Sequence, residues 1–476
     1  MTRNSLFIAL IIIVFTAVSC NSGHNGQMVP EAGFVYIEGG HFAVDGEVWF
    51  PKMLNYKAEI KQTDNGVEVV PAPWYTGGGI RSHFDTIASW GFNAVRLCLD
   101  GDYRGFDTAA MRQATRRAVL QADSAGLRVM LLLRAPLDRY WREYNAGLMR
   151  RLSDLPALWA YDLMNEPLYF DPQKERSKKS AVKLVQSWRK MVRNNAPHQL
   201  FTVALAEPIE VFEWDPSMLP VDFVEMHTYH PLRVQSEMWW YSHYCGKPWM
   251  VGETGLPADG DSVPYEAQLA FMWETYRYAL LYGACGYGWW EFQDCPEGVN
   301  FEAQYTGLRD SLGRQKPAAT MLKCICFGCG EWMPILPVNY YNMLAYTNLA
   351  ITGHIVDKEG NPIEGAVIRG WTEDWSVGVN TFSDSTGRFR LVSNDLCTHF
   401  EISAPIFSRA KFDWRESDID ASGLPDRERE YQQIPLLGWG DSFSVLPSVL
   451  PPYDYSRYAA TEAIEADMGD ITLRKL

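Results

Sequence analysis

Eight short apolar runs recur along the first two thirds of the chain, and most are separated by stretches with helical periodicity. The runs lie at residues 52–56, 94–99, 128–133, 159–164, 201–205, 223–227, 249–252 and 286–290. The clearest helical stretches, with apolar residues at three- and four-residue steps, lie at residues 108–125, 174–194 and 265–281. Strands that alternate with helices pair in parallel, and eight such units close most economically into a (β/α)8 barrel. We therefore predict an α/β TIM barrel, with residues 316–323 as its eighth helix.

The pattern of apolar and polar residues changes near Ile351. From there on, short runs alternate apolar and polar residues, and Gly-containing pairs such as Glu359-Gly360 and Thr386-Gly387 mark turns between them. Short strands without a helical period predict a small β-sandwich, which we place at residues 347–476 with an elaborated loop region at 413–466. The barrel domain is predicted at residues 34–340, and a β-hairpin at residues 34–50 opens it. A chain of 476 residues is long enough for both domains.

The amino terminus has the pattern of a processing signal. Arg3 precedes an apolar run at residues 6–18, which is too short to span a bilayer comfortably, and small residues lead up to Cys20. This pattern resembles a bacterial lipoprotein signal over residues 1–19, in which Cys20 becomes the lipidated first residue. Residues 20–33 are then a flexible tether. We expect a protein of the bacterial cell envelope, held by its lipid, with secretion and an uncleaved anchor as the alternatives.

Charge and cysteine content exclude some kinds of partner. The net charge of −15 comes without a cluster of Lys and Arg, which argues against nucleic acid and against adhesion to anionic lipid. The membrane is therefore expected as a partner only through the lipid anchor. Cys324, Cys326 and Cys329 stand close together, but a zinc site needs four ligands and no fourth Cys or His is near. We expect buried thiols or a local disulfide there, and no metal.

Polar and aromatic residues stand where the predicted barrel strands end. Strand two carries Arg96, strand four ends in Asn165 and Glu166, strand six in His227 and Tyr229, strand seven in Glu253, and strand eight in Trp289 and Trp290. Because the carboxyl ends of barrel strands meet at one face, these side chains are expected to converge on one pocket. Neighbouring strand residues point to opposite faces, so one of the two tryptophans lines the pocket, and we favour Trp290.

Two carboxyl groups in one pocket suit the hydrolysis of a glycosidic bond. One must hold a proton for the leaving oxygen, and the other must stay ionised. Carboxyls about 5–5.5 Å apart allow a covalent intermediate and retention, whereas about 6.5–9.5 Å leaves room for a water and inverts the sugar. Arg96 and Tyr229 beside Glu253 would keep it charged, and Asn165 could donate to a ring hydroxyl. This chemistry needs neither a metal nor an organic cofactor.

The motifs GFNAVRL, NEP, H-x-Y and GE at these strand ends resemble the retaining glycoside hydrolases of clan A, most closely family 5, the cellulase and β-mannanase group. The ending TGLRDSLGRQKPAA is similar to the close of barrels in that clan, and the likeness covers residues 34–326. It implies Glu166 as acid/base and Glu253 as nucleophile, with Asn165 as the amide before the acid. It also implies Arg96, His227 and Tyr229 as supporting residues and a strand-eight Trp as the sugar platform. The family often has a His after strand three, where this chain has Arg134. The C-terminal part resembles carboxypeptidase-regulatory-like modules of immunoglobulin type.

We therefore expect a retaining glycoside hydrolase that cleaves a β-linked polysaccharide or oligosaccharide, of glucan or mannan type. The alternatives are a glycan-binding lipoprotein without turnover, a transglycosylase that uses the same residues, and a structural adhesin. The segment 57–79 is expected to be a loop that walls the cleft. Aromatic residues in or near predicted loops could line sugar subsites, although packing is the commoner role for each: Trp74, Tyr75, Tyr103, Tyr140, Trp141, Trp239 and Trp240.

Overall fold

The computed structural model describes residues 31–229, 233–296, 298, 301–324, 349–373, 378–393, 397–413 and 464–476. The predicted signal peptide, Cys20, most of the tether, Cys326, Cys329 and most of the region 413–466 lie outside these residues. Within the described ranges, no helix is both long and apolar enough to cross a membrane. The described cysteines whose side chains are placed are buried free thiols.

Eight parallel strands close into a barrel, which confirms the predicted fold class. In order they are β4 (Lys52–Thr63), β6 (Ala94–Leu99), β7 (Arg128–Leu133), β8 (Leu158–Asn165), β9 (Leu200–Leu205), β10 (Val224–His227), β11 (Trp249–Glu253) and β12 (Tyr287–Trp289). Each pairs with the next in the chain, and β12 pairs back onto β4. The strands are nearly continuous apolar runs because helices cover the outside and side chains fill the inside.

Helices surround the barrel and are placed largely as the sequence predicts. They are α1 (Ile80–Ser89), α2 (Thr108–Ser124), α3 (Arg139–Leu152), α4 (Pro167–Phe170), α5 (Lys178–Asn195), α6 (Val234–Tyr244), α7 (Tyr265–Leu281) and α8 (Phe301–Tyr305). Side-chain caps fix several starts: the carboxylate of Asp107 accepts from Ala109 N, and that of Asp138 accepts from Trp141 N. The helix predicted at 174–194 begins later, because Ser177 caps α5.

Two expectations about the ends of the barrel were wrong in detail. The predicted eighth helix at 316–323 is a 3-10 helix, Pro317–Cys324, whose start is fixed because Lys316 Nζ binds the Asp294 carboxylate at 2.8 Å. The predicted loop at 57–79 is mostly a hairpin: β4 runs on to Thr63 and returns as β5 (Gly66–Pro71). Alternate apolar residues, Ile60 opposite Val69 among them, bury one face of this hairpin.

A small amino-terminal sheet covers the end of the barrel away from the strand carboxyl ends. The predicted hairpin is in fact three strands, β1 (Tyr36–Glu38), β2 (His41–Val44) and β3 (Glu47–Val48), since Gly39 and Gly40 add a second turn. Phe42 of β2 is fully buried against the rings of Trp159 and Phe223, at centroid distances of 5.1 and 5.0 Å. Only the opposite end of the barrel is therefore left for a site.

Beyond residue 349 two antiparallel-rich sheets pack against each other. One contains β13 (Leu349–Val356), β16 (Arg388–Ser393) and β19 (Ile464–Thr472); the other contains β14 (Val367–Trp371), β15 (Gly378–Phe382), β17 (His399–Ser403) and β18 (Ala410–Asp413). The second sheet also touches the barrel. Trp240 Nε1 donates to Gly365 O at 2.8 Å, and Lys178 Nζ donates to Ala404 O at 2.7 Å and to the buried Asp215 carboxylate.

Candidate active site

The barrel brings six of the predicted site residues into one network of hydrogen bonds and ion pairs and places the seventh beside it. Arg96 lies within β6, Asn165 and His227 end β8 and β10, and Glu253 ends β11. Glu166 and Tyr229 lie one and two residues beyond their strands. Trp290, just past β12, lines the same cavity as Asn165. This convergence follows from the parallel register, which puts all strand carboxyl ends at one face.

The two candidate carboxylates meet across His227. One oxygen of Glu166, one oxygen of Glu253 and a ring nitrogen of His227 all lie within 4.8 Å of one another. His227 Nδ1 is 2.8 Å from Glu166 Oε1 and 3.5 Å from Glu253 Oε2. The spacing is close to the roughly 5–5.5 Å at which a carboxylate can attack a sugar while the other protonates the leaving group. It is shorter than the separation that would admit a water between carboxylate and sugar.

The backbone aims Glu166 into the site. Its φ of 39° lies in the left-handed region, which costs a residue with a side chain on the order of 1 kcal/mol or more. Glu166 N donates to Ala204 O at 2.8 Å, and Pro167 begins α4 directly afterwards. The chain therefore leaves β8 in a sharp turn, with the carboxyl group pointing towards β10.

Glu253 is held in its ionised form. It is 4% exposed, and both of its oxygens accept hydrogen bonds: one from Arg96 and the other from the Tyr229 hydroxyl at 2.5 Å. Burial by itself raises the pKa of this carboxyl. The positive charges of His227 and Arg96 outweigh burial, so the pKa of Glu253 falls below its ordinary value. An ionised, oriented carboxylate is what a nucleophile requires.

Arg96 is the centre of a fully buried polar network inside the barrel. Its guanidinium donates to the carboxylate of Asp162 at 2.6 Å, and to the amide oxygens of Asn55 at 3.0 Å and Asn165 at 2.8 Å. The contact to the Asn165 oxygen leaves the amide N–H2 group of that residue free to face the cavity. Glu225 Oε1 lies 3.3 Å from Arg96 Nε, yet neither oxygen of Glu225 has a hydrogen-bond partner among the described residues.

Sequence reasoning missed Asp162, Glu225 and Asn55 as members of this network. The signal was present, since each is a polar residue within a run of buried, mostly apolar residues. A charge in such a run is costly unless it is paired, so it indicates a buried partner. Burial and the neighbouring Glu225 raise the pKa of Asp162 to about 7, against the lowering effect of Arg96.

His227 keeps a proton in the middle of these acids. Burial disfavours the charged imidazole, but Glu253, Glu166 and Glu225 together raise the pKa of His227 to about 10. Since Nδ1 lies 2.8 Å from Glu166 Oε1, the charged ring donates a hydrogen bond to that carboxyl. The same three groups could hold a cation by their distances alone. The guanidinium of Arg96 already pairs with the Glu253 carboxylate, however, and its positive charge opposes the binding of a second cation there.

Two cavities open along the site and share Asp100 and Asn165. One, of about 350 Å³, lies between the β4–β5 hairpin and Trp290; the other, of about 450 Å³, lies between Arg134, Trp141 and Phe170. Trp290 lines the first, whereas Trp289 is fully buried and its Nε1 donates to Thr306 O at 3.1 Å.

The other predicted aromatic residues divide between lining and packing roles. Trp74 and Tyr103 line the smaller cavity, and Trp141 lines the larger one. The hydroxyl of Tyr75 is buried against Glu291, and Trp240 packs towards the C-terminal sheets.

No protein-family model and no curated protein matches the sequence. Among solved structures, the chain is similar to an exo-beta-1,4-mannosidase from Opitutaceae bacterium strain TAV5, at 20% identity and a TM-score of 0.45, over 62% of this chain and 61% of that one. It is also similar to a GH5_18 protein from Streptomyces cattleya in complex with GlcNAc, at 18% identity and a TM-score of 0.45, over 58% and 78%. A GH5_18 protein from Bifidobacterium longum subsp. longum gives 14% identity and a TM-score of 0.46, over 65% and 85%. At these identities and TM-scores the likenesses carry no conclusion about the chemistry of the site.

Proposed function

We propose that the protein is a retaining glycoside hydrolase that cleaves β-linked glycan, of glucan or mannan type, by double displacement. The observation that carries the proposal is the pair of carboxyl groups whose nearest oxygens lie within 4.8 Å at the carboxyl face of the barrel. Glu253 is anchored as the anion by Arg96 and Tyr229, and Glu166 is hydrogen-bonded to His227. Two carboxyls at this spacing, one of them anchored as the anion, divide the roles of nucleophile and acid.

In the first step Glu253 attacks the anomeric carbon, and Glu166 gives its proton to the departing oxygen. The bond between the sugar and the leaving oxygen breaks as the bond to the Glu253 carboxylate forms. Asn165, whose amide oxygen is taken by Arg96, presents its N–H2 group to a sugar hydroxyl. Hydrogen bonds to the 2-hydroxyl strengthen as positive charge develops on the ring.

In the second step water attacks the same carbon, and Glu166 takes the proton of that water. Esterified Glu253 carries no negative charge, so the largest charge that holds His227 cationic is gone. The His227 proton is then more readily released, and the Glu166–His227 pair is ready for the next proton. The charge on Glu253 thus sets how firmly the imidazole beside Glu166 holds its proton.

Replacing Glu253 and Glu166 separately by glutamine tests the assignment. Loss of the nucleophile should lower sugar release by about 10⁴-fold or more, and loss of the acid should lower it by about 10²–10⁴-fold. Glu143→Gln is the matched control, because Glu143 is exposed on α3 and its carboxylate pairs with Arg139 of the same helix. Release of sugar by Glu253→Gln at the control's rate would reject the proposal. A different outcome would favour a glycan-binding protein. In that case the unaltered protein releases no sugar, and both variants still bind the glycan.

The context of the enzyme is proposed on the sequence alone. Cys20 is the proposed lipid attachment site, which would hold the protein at the bacterial cell envelope through residues 20–33. The domain boundaries at 34–340 and 347–476 stay proposals of the same kind. The contacts of Lys178 and Trp240 with residues 404 and 365 support a packing role for the C-terminal domain.

A further inference from the structure

One wall of the smaller cavity is formed by the β4–β5 hairpin. Ala58, Glu59 and Ile60 of β4 line it, together with Ala72 just after β5. The wall continues a barrel strand, since β4 leaves the barrel and pairs with β5 without a break. Arg117 of α2 also donates to Val67 O at 2.6 Å and fixes the hairpin from behind. A cleft that ends at such a wall accepts the end of a chain and not its middle.

The position of the cavity shows which end of a glycan it takes. Trp290 lines this cavity and not the larger one, and it is the side chain proposed as the platform for the sugar that becomes attached to Glu253. That sugar is the glycone, and its far side is the non-reducing end of the chain. The wall therefore faces the non-reducing end.

Lys57 projects into this cavity from β4. Its Nζ lies 4.7 Å from the centroid of the Trp290 ring and 5.3 Å from that of Trp74, so two aromatic faces hold the ammonium in place. The nearest carboxylate oxygen, Glu291 Oε1, is 3.8 Å away, beyond a hydrogen bond. The side chain of Lys57 is 34% exposed, and among the described residues no acceptor lies within hydrogen-bonding distance of Nζ. Its N–H groups are available to a ligand.

Glu291 supplies the counter-charge for this ammonium from inside the protein. It is 1% exposed, its Oε2 accepts from the Tyr75 hydroxyl at 2.6 Å, and its Oε1 has no hydrogen-bond partner among the described residues. Glu59 and Asp100 also line the cavity. A ligand carboxylate or sulfate would meet these negative charges, whereas a sugar hydroxyl can accept from Lys57 without adding charge.

We propose that the β4–β5 hairpin closes the glycone end of the cleft and that Lys57 binds a hydroxyl of the terminal sugar, so that neutral sugars are released one at a time from the non-reducing end. This inference rests on the proposed function. It adds the mode of cleavage and the residue that binds the terminal sugar. Glu291 is the positioning residue that holds Lys57.

The test uses the full chain with β-1,4-mannotetraose and cellotetraose that carry a fluorophore at the reducing end. The expected first products are a labelled trisaccharide and a free monosaccharide. The same substrates with a 4,6-O-benzylidene group on the terminal sugar, and 4-nitrophenyl β-glucuronide, should resist cleavage. Early release of labelled mono- or disaccharide, or cleavage of the blocked substrates, would overturn the inference while leaving a hydrolase. Failure to release sugar from any β-linked substrate would instead count against the proposed function.

Lys57→Met measures the contribution of the ammonium. Loss of a charged hydrogen bond to a terminal hydroxyl should lower kcat/KM by about 10- to 100-fold, with a raised KM. Lys61→Met, an exposed lysine on the same hairpin, is the control and should keep the activity. If Lys57→Met does not fold, judged by its thermal unfolding, Lys57→Gln replaces it. A folded variant with unchanged kcat/KM would remove Lys57 from the site.

Discussion

Replacing Tyr229 with phenylalanine removes one oxygen atom next to Glu253, the proposed nucleophile. The hydroxyl donates to Glu253 Oε2 at 2.5 Å, and it is one of two described hydrogen bonds that orient this carboxylate. A hydrogen bond to a charged group contributes about 1.5–3 kcal/mol. Since 1.4 kcal/mol is about a factor of ten, kcat/KM should fall by about 10- to 150-fold. The loss also raises the pKa of Glu253, because the Tyr229 hydrogen bond helps to lower it.

The assay is the pH profile of kcat/KM with an aryl β-glycoside. The acid limb reports protonation of Glu253, so it should move to higher pH in Tyr229→Phe. Tyr36→Phe is the matched control, because the Tyr36 hydroxyl lies in the amino-terminal sheet and accepts a hydrogen bond from Gly46 N. A profile for Tyr229→Phe that matches the control in both height and position would refute the proposed anchoring of the nucleophile.

Three other substitutions have clear expected outcomes. Glu166→Ala should lose about 10²–10⁴-fold in rate with poor leaving groups. Added azide should restore turnover of the variant and give a β-glycosyl azide. If azide has no effect, the role of Glu166 as acid/base is contradicted. His227→Asn removes a positive charge beside Glu253, so the pKa of Glu253 rises and the acid limb of kcat/KM moves to higher pH; a shift to lower pH would contradict this. Asp162→Ala removes the buried carboxylate to which Arg96 donates two hydrogen bonds, and it should destabilise the fold by about 3–5 kcal/mol, measured by denaturant unfolding; a loss below about 1 kcal/mol would contradict it.

The stability of the protein should also depend on pH through His227. Its pKa is raised to about 10 in the folded protein, above the ordinary value of 6.5. A raised pKa means that the folded state binds the proton more tightly than the unfolded state does. The stabilisation is therefore complete below about pH 6.5 and is lost as the pH rises towards 10. Unfolding midpoints measured from pH 6 to 10 should fall more steeply for the unaltered protein than for His227→Asn.

The barrel could be predicted from the sequence because its signals are local. Each strand is a short apolar run that ends at a polar residue or a turn, and the parallel topology fixes where those ends meet. Arg96, Glu166 and Glu253 could be placed in one site on that basis, although 157 residues separate Arg96 from Glu253. The hairpin after β4 was missed because its alternation of buried and exposed residues was interpreted as a loop.

The buried network behind the site could not be derived from periodicity. Asp162 and Glu225 break their apolar runs, but nothing local shows that both face Arg96 across the barrel. The same holds for Glu291, which follows two tryptophans in the sequence. It pairs with Lys57, which is distant from it along the chain. Such contacts depend on the stagger of strands in the closed sheet, which residue pattern does not give.

Trapping the covalent intermediate tests the central claim most directly. Incubation with an activated 2-deoxy-2-fluoro-β-glycoside, followed by proteolysis and mass spectrometry, identifies the residue that carries the sugar. The structure predicts a single adduct on the peptide that contains Glu253, and no adduct in Glu253→Gln. A sugar attached to another residue, or turnover with inverted anomeric configuration and no adduct, would contradict the account.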